Sequence, residues 1–254
     1  MTANVLIFDS GVGGFSIFQP IRQALPGLKS CYLMDNQLFP YGIQPDDVLI
    51  ERIVALCHKA CQRFEIDMVV IACNTASTLA LPALRQKLNI PVIGVVPAIK
   101  TAAELSHSKH IALLATPATI NRPYIDQLIQ DHAPDCQVTR IGSSELVKLA
   151  EQYWFSNELD EAALIEILDP CLKPKLDDHH PCQQSDTRPR DVDQLILGCT
   201  HFPIINEHIS RLYPQVNLVD SGQAIARRVG YILQELGYEL QQYWLISFIF
   251  KQHR

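Results

Sequence analysis

Two cysteines, Cys73 and Cys199, occupy matching places in two look-alike segments, MVVIACNTAS (68–77) and QLILGCTHFP (194–203). Each segment opens on Val, Ile or Leu, reaches a cysteine, and turns polar at once through Asn74-Thr75 or Thr200-His201. A buried parallel strand delivers a side chain to its carboxyl end in this way, and open α/β sheets place their chemistry there. One such cysteine would suggest a nucleophile. Two, half a chain apart, suggest a duplicated architecture in which each half turns a thiol toward one site. A cysteine met at random is an inert buried thiol. The strand-end position and the polar successors favour function here, and His201 could tune the Cys199 thiol or shuttle its proton. His107, His110, His132 and His208 lack that context and read as surface or core residues.

Three loops could add polar groups. DSGVGG (9–14) places Asp9 and Ser10 at a strand end, followed by glycines that let backbone N–H groups approach an anion. It is not a dinucleotide fingerprint, because Ser16 stands where a third glycine is needed, and no GK[ST] follows to make a P-loop. Taken alone it is a tight strand–helix turn. FPYG (39–42) reads as a β-turn that presents Tyr41 and Gly42. ATPAT (115–119) is the second half's counterpart of DSG, with Thr116 and Thr119 at helix-start positions where capping and ligand binding can coexist.

Positioning these groups requires strands alternating with helices. Apolar runs at 5–8, 31–35, 67–73, 91–96, 110–115, 136–141, 194–199 and 216–220 read as strands. Helical spacing marks 46–64, 77–88, 119–131, 144–154, 158–172, 203–212 and 222–236. The alternation predicts an α/β fold of two similar doubly wound parallel-sheet domains, facing each other across an interdomain site. The strand at 216–220 ends in Asp-Ser-Gly like the first strand, and so is expected in the first sheet. That gives a discontinuous first domain (1–97 plus 209–254) and a second domain (98–208) carrying a polar, aperiodic surface insertion at 173–191.

The composition narrows the function classes. The chain has 254 residues, 48% hydrophobic and 19% charged, which suits a folded enzyme rather than a disordered chain. A net charge of −6 with no long Lys/Arg run argues against nucleic-acid binding. The eight cysteines form no CxxC pair. Asp177, Asp178, His179, His180 and Cys182 look metal-like, but crowded ligands on a polar loop are ordinarily just solvated, and no metal is expected. Free thiols behind an N-terminus that reads as a first strand, not a signal peptide, point to the cytoplasm. The apolar run in the tail (241–254) is too short to span a bilayer and suggests packing on this or another subunit.

With DSGVGG, FPYG, ACNTAS, GVVPAIK, ATPAT and GCTHFP in this order, the chain resembles the glutamate racemases of the cofactor-independent aspartate/glutamate racemase superfamily, from about residue 5 to 236. The resemblance implies an isomerase that needs no cofactor and supplies D-glutamate for peptidoglycan, with glutamate as substrate. It also implies Cys73 and Cys199 as the catalytic acid/bases, Asp9 and His201 as their auxiliaries, and Glu151 as a third assisting acid. Asp9, Ser10, Tyr41, Gly42, Asn74, Thr75, Thr116, Thr119, Thr200 and His201 would hold the substrate. Ser143-Ser144 stands where many members carry Cys-Pro. A peptidoglycan-precursor activator and a monomeric or homodimeric state are compatible with the resemblance. An aspartate racemase, a pyridoxal enzyme using Lys100, and a non-catalytic amino-acid-binding module remain as alternatives.

Overall fold

The computed structural model describes residues 2–173 and 191–239. The inner part of the polar insertion and the apolar tail lie outside the described residues. Two four-stranded parallel sheets organise the chain. The first contains β1 (Asn4–Asp9), β2 (Lys29–Met34), β3 (Met68–Ile71) and β4 (Val92–Gly94), in the order β2-β1-β3-β4. The second contains β5 (His110–Ala115), β6 (Gln137–Gly142), β7 (Gln194–Leu197) and β8 (Asn217–Val219), in the order β6-β5-β7-β8. The order repeats, as the matching cysteine segments suggested. In each sheet the chain steps to one side of its first strand and returns on the other. The crevice at such a reversal lies at the carboxyl ends of β1 and β3, or of β5 and β7.

Period-two alternation explains the layering. In β1, Val5 and Ile7 face α1 (Phe15–Ala24) and α10 (Gly222–Glu235), packing with Ile17, Ile21, Ile225 and Val229. Leu6 and Phe8 face α2 (Asp46–Phe64) and α3 (Asn74–Lys87), against Leu49, Ile53 and Leu84. In the second sheet, Ile111 and Leu113 pack with Ile99 of α4 (Ile99–Leu105) and Ile125 of α6 (Pro123–His132). Ala112 and Leu114 pack with Leu146 and Ala150 of α7 (Glu145–Ser156), Leu164 and Leu168 of α8 (Glu161–Leu172), and Ile209 of α9 (Asn206–Leu212). Burial on both faces is why β1, β3, β5 and β7 read as unbroken apolar runs.

Several expectations need correction. The strand at 216–220 belongs to the second sheet, because β8 pairs with β7 through Gln194↔Asn217 and Leu195↔Leu218. Its likeness to the first strand misled, whereas the short connection through α9 keeps consecutive strands as neighbours. The return to the first half therefore falls at Asp220-Ser221, after which α10 completes the first core. The two crossings between halves run side by side there, tied by a hydrogen bond from Ser221 Oγ to the Val96 carbonyl (2.7 Å). The helix read at 77–88 begins at Asn74, directly behind Cys73. The helix read over 119–131 is two, α5 (Pro117–Ile120) and α6, parted before Pro123.

Candidate active site

Both cysteines stand where the chain leaves a central strand. Cys73 follows β3 as the N-terminal flanking residue of α3. Cys199 follows β7 and precedes the turn Phe202–Ile205 that leads into α9. The two sulfurs line one cavity between the halves, together with Ser10, Tyr41, Gly42, Asn74, Thr75 and Thr200. Asn74 Oδ1 is buried there and has no partner among the described residues, so it is free to accept from a bound ammonium. The cavity encloses only about 10 Å³, room for about one water. In this arrangement of the halves it has no room for a molecule the size of an amino acid.

Asp9 and Glu151 sit behind the cavity wall, each held partly by the opposite half. Asp9 accepts from the Gly11 N–H (2.9 Å) and, across the cleft, from the Thr200 hydroxyl (3.1 Å). Glu151 of α7 pairs with His201 Nε2 (2.7 Å) and accepts from the Val12 N–H of the first half (3.0 Å). His201 Nδ1 lies 3.8 Å from the Cys199 sulfur, and the Ser10 hydroxyl lies 3.8 Å from the Cys73 sulfur. The relay Glu151–His201–Cys199 is thus continuous. Asp9 reaches the cavity through Thr200 rather than lining it.

Protonation states follow from burial and neighbours. Burial lifts the Asp9 carboxyl to about 6, against the pull of His201, the Gly11 N–H and Thr200. Burial also raises the Cys73 thiol, and the nearby Asp9 carboxylate adds to this, outweighing the Ala76 N–H and Ser10. Cys73 therefore carries a proton at neutral pH. For His201 the largest influence, burial, opposes charge, but hydrogen bonds to Cys199 and Glu151 and electrostatic interaction with Cys199 and Asp9 win, lifting it to about 10. The imidazole is protonated at neutral pH.

The hydroxyls of Thr75, Thr116 and Thr119 form a buried triangle across the cleft, with separations of 3.2, 3.3 and 2.9 Å. Thr75 and Thr116 line the cavity, whereas Thr119 braces them from behind. Arg122 and Asp46 add a bidentate ion pair between the halves outside the site (2.6 Å for each bond). Pro40, Ser144 and Val147 also line the cavity, and Phe39 packs its ring 5.4 Å from that of His201. Sequence reasoning passed over these four. FPYG flagged the turn but not its Phe and Pro, Ser144 was noted only as standing where many members carry Cys-Pro, and Val147 carries no signal beyond an ordinary helix.

Among the described residues no cluster of His, Cys, Asp or Glu could hold a metal ion, and no helix is long and apolar enough to cross a membrane. The metal-like residues 177–182 lie outside the described residues.

The model of the Asp/Glu/hydantoin racemase family matches residues 14–178. The chain is 49% identical over 235 residues to a glutamate racemase of Shewanella loihica, covering 92% of this chain and 82% of that protein. The chain belongs to the Asp/Glu/hydantoin racemase family. A glutamate racemase of Vibrio vulnificus is likewise 49% identical over 92% of this chain and 82% of its own length. Among solved structures, Escherichia coli glutamate racemase in complex with L-glutamate and the activator UDP-MurNAc-Ala superposes with a TM-score of 0.83. That match has 42% identity and covers 95% of this chain and 85% of the other.

Proposed function

We propose that this protein is a glutamate racemase that interconverts L- and D-glutamate by proton transfer between Cα and two cysteines, without cofactor. The observation that carries the reading is the pair of sulfurs, one from each sheet, lining a single cavity. Racemisation removes the Cα proton from one face and adds a proton to the other, so two groups on opposite walls do it with little movement of the substrate. In the L-to-D direction the Cys199 sulfur takes the Cα proton as the C–H bond breaks, and its electron pair stays on carbon. The Cys73 thiol then gives its proton to the opposite face, leaving that sulfur negative. The roles reverse for D-glutamate.

The difficult species is the carbanion beside an already anionic carboxylate. Hydroxyls of Ser10, Thr75 and Thr200 and N–H groups at the start of α3 are fixed before the reaction. In a closed, water-poor cavity such dipoles stabilise the developing charge far more than water does. Asp9 and His201, backed by Glu151, set the protonation of the neighbouring sulfurs. Asn74 Oδ1 receives the substrate ammonium, and the threonine triangle receives a carboxylate.

The reading places the enzyme in the cytoplasm as an isomerase of cell-wall biogenesis, feeding D-glutamate to peptidoglycan synthesis. The activator in the E. coli complex makes a peptidoglycan precursor a candidate effector here too. The test is purified protein incubated with L-glutamate or L-aspartate in EDTA, with no added cofactor. Appearance of D-glutamate and not D-aspartate is expected. Turnover of aspartate alone, or activity only after a metal or pyridoxal phosphate is restored, would sink the reading.

A further inference from the structure

Glu151 and Trp154 lie three residues apart on α7, so they share the face turned toward the first half. Glu151 holds His201 and the Val12 N–H. One turn along, the Trp154 ring stacks on Phe15, the first residue of α1, at 5.3 Å and 8°. Phe15 stacks in turn on Tyr32 of β2, at 4.5 Å and 14°. The Tyr32 hydroxyl donates to the Gly11 carbonyl (2.8 Å), and the Gly11 N–H donates to Asp9 (2.9 Å). Three near-parallel rings thus run from the helix that carries one auxiliary acid to the loop that carries the other. None of the three lines the cavity.

We propose that Trp154 and Tyr32 are positioning residues, holding Glu151 against His201 on the Cys199 side of the cavity through the Trp154–Phe15–Tyr32 stack. Trp154 acts on the Cys199 side, because its anchorage fixes the stretch of α7 that presents Glu151 to His201. Tyr32 acts on the same side, because its hydroxyl holds the Gly11–Val12 peptide, whose N–H donates to Glu151. Tyr32 also walls the loop from behind: a Cβ added at Gly14 would lie 2.4 Å from its hydroxyl. The arrangement makes one of the two proton transfers adjustable from outside the cavity.

The proposal rests on the two-cysteine reading, and its test separates the two. Full-length Trp154→Ala, Trp154→Phe and Tyr32→Phe are assayed in both directions, with L- and D-glutamate deuterated at Cα. Enantiomers are equally stable, so kcat/KM must fall equally in both directions. The isotope effects are not bound by that symmetry and report which transfer limits the rate. Trp154→Ala is expected to lower kcat roughly threefold to tenfold, the scale of one lost ring pair. Its isotope effect should rise from L-glutamate and fall from D-glutamate, with Trp154→Phe restoring both. Tyr32→Phe keeps the stack and loses only the hydroxyl that holds the Gly11–Val12 peptide, so it should shift the pair of effects in the same sense as Trp154→Ala. Unchanged effects in Tyr32→Phe, or effects from L- and D-glutamate that rise or fall together, overturn the positioning role even if Trp154→Ala fails to fold. A wild-type protein that does not racemise glutamate sinks the two-cysteine reading, and the positioning role with it.

Discussion

Replacing Gly13 by alanine should disable the enzyme through a single methyl group. Gly13 lies buried in the turn Val12–Gly14, against the opposite half. An added Cβ would sit 2.4 Å from His201 Nδ1 and 2.6 Å from Thr200 Oγ1, where ordinary contact begins near 3.4 Å. His201 cannot swing aside: Nε2 is paired with Glu151, Nδ1 faces Cys199, and the Phe39 ring flanks it. Either the imidazole shifts by about 1 Å or the halves stay apart by a similar amount, and a misplacement of that size costs about 10²-fold in rate. That corresponds to about 3 kcal/mol of transition-state stabilisation. The strain falls at the cleft and touches neither sheet's core, so the thermal midpoint should move little. Initial rates of L-to-D conversion, followed by circular dichroism, give the measurement. Gly27→Ala serves as control, since its Cβ would meet nothing within 4 Å. A folded Gly13→Ala protein retaining kcat within about threefold of wild type would refute the claim that this contact fixes the relay.

Two further outcomes are expected. Asp9 is raised from 3.8 to about 6 by burial, so through that window the folded chain holds more protons than the unfolded one, and this group's contribution to stability declines as pH climbs. Asp9→Asn should therefore gain on wild type by up to about 3 kcal/mol between pH 4 and 7 in urea unfolding, and a gap that stays flat with pH would contradict the buried-carboxyl argument. Cys73→Ala should lower racemisation by at least about 10²-fold, while Cys199 still exchanges the Cα proton of L-glutamate in D₂O, visible by proton NMR. Racemisation at the wild-type rate in that variant would rule out the two-cysteine assignment.

Much of this was legible because central parallel strands are buried on both faces and read as unbroken apolar runs, as MVVI and QLIL do. A polar residue directly after such a run marks the end of the strand where ligands collect, which located Cys73, Cys199, Asp9 and Thr116. The strand β8 was misplaced because only three residues, NLV, precede an Asp-Ser-Gly that mimics the end of β1. Pairing partners are a property of the connection, not of the strand's own residues. The helices α1 and α4 were not delimited, since Pro20 interrupts the first and the second is only seven residues long. Nothing in the spacing of Phe15, Tyr32 and Trp154 announces a stack. They lie on three elements of two different halves, and only the closed arrangement brings them together.

The passage of the chain into α10 has a consequence for how the protein is made. Ile225, Ala226, Val229 and Leu233 of that helix cover the same face of the first sheet as Ile17 and Ile21 of α1. On the ribosome the strands β1 to β4 emerge early, yet the helix that seals one side of their sheet follows the whole second half. Among the described residues the second half holds its strands and packing helices between Ile99 and Val219, and can close its core while the first still exposes Val5, Ile7 and Val70 to solvent. The half that begins last is finished first. An apolar sheet face left open for so long is a natural holding point for a chaperone during synthesis.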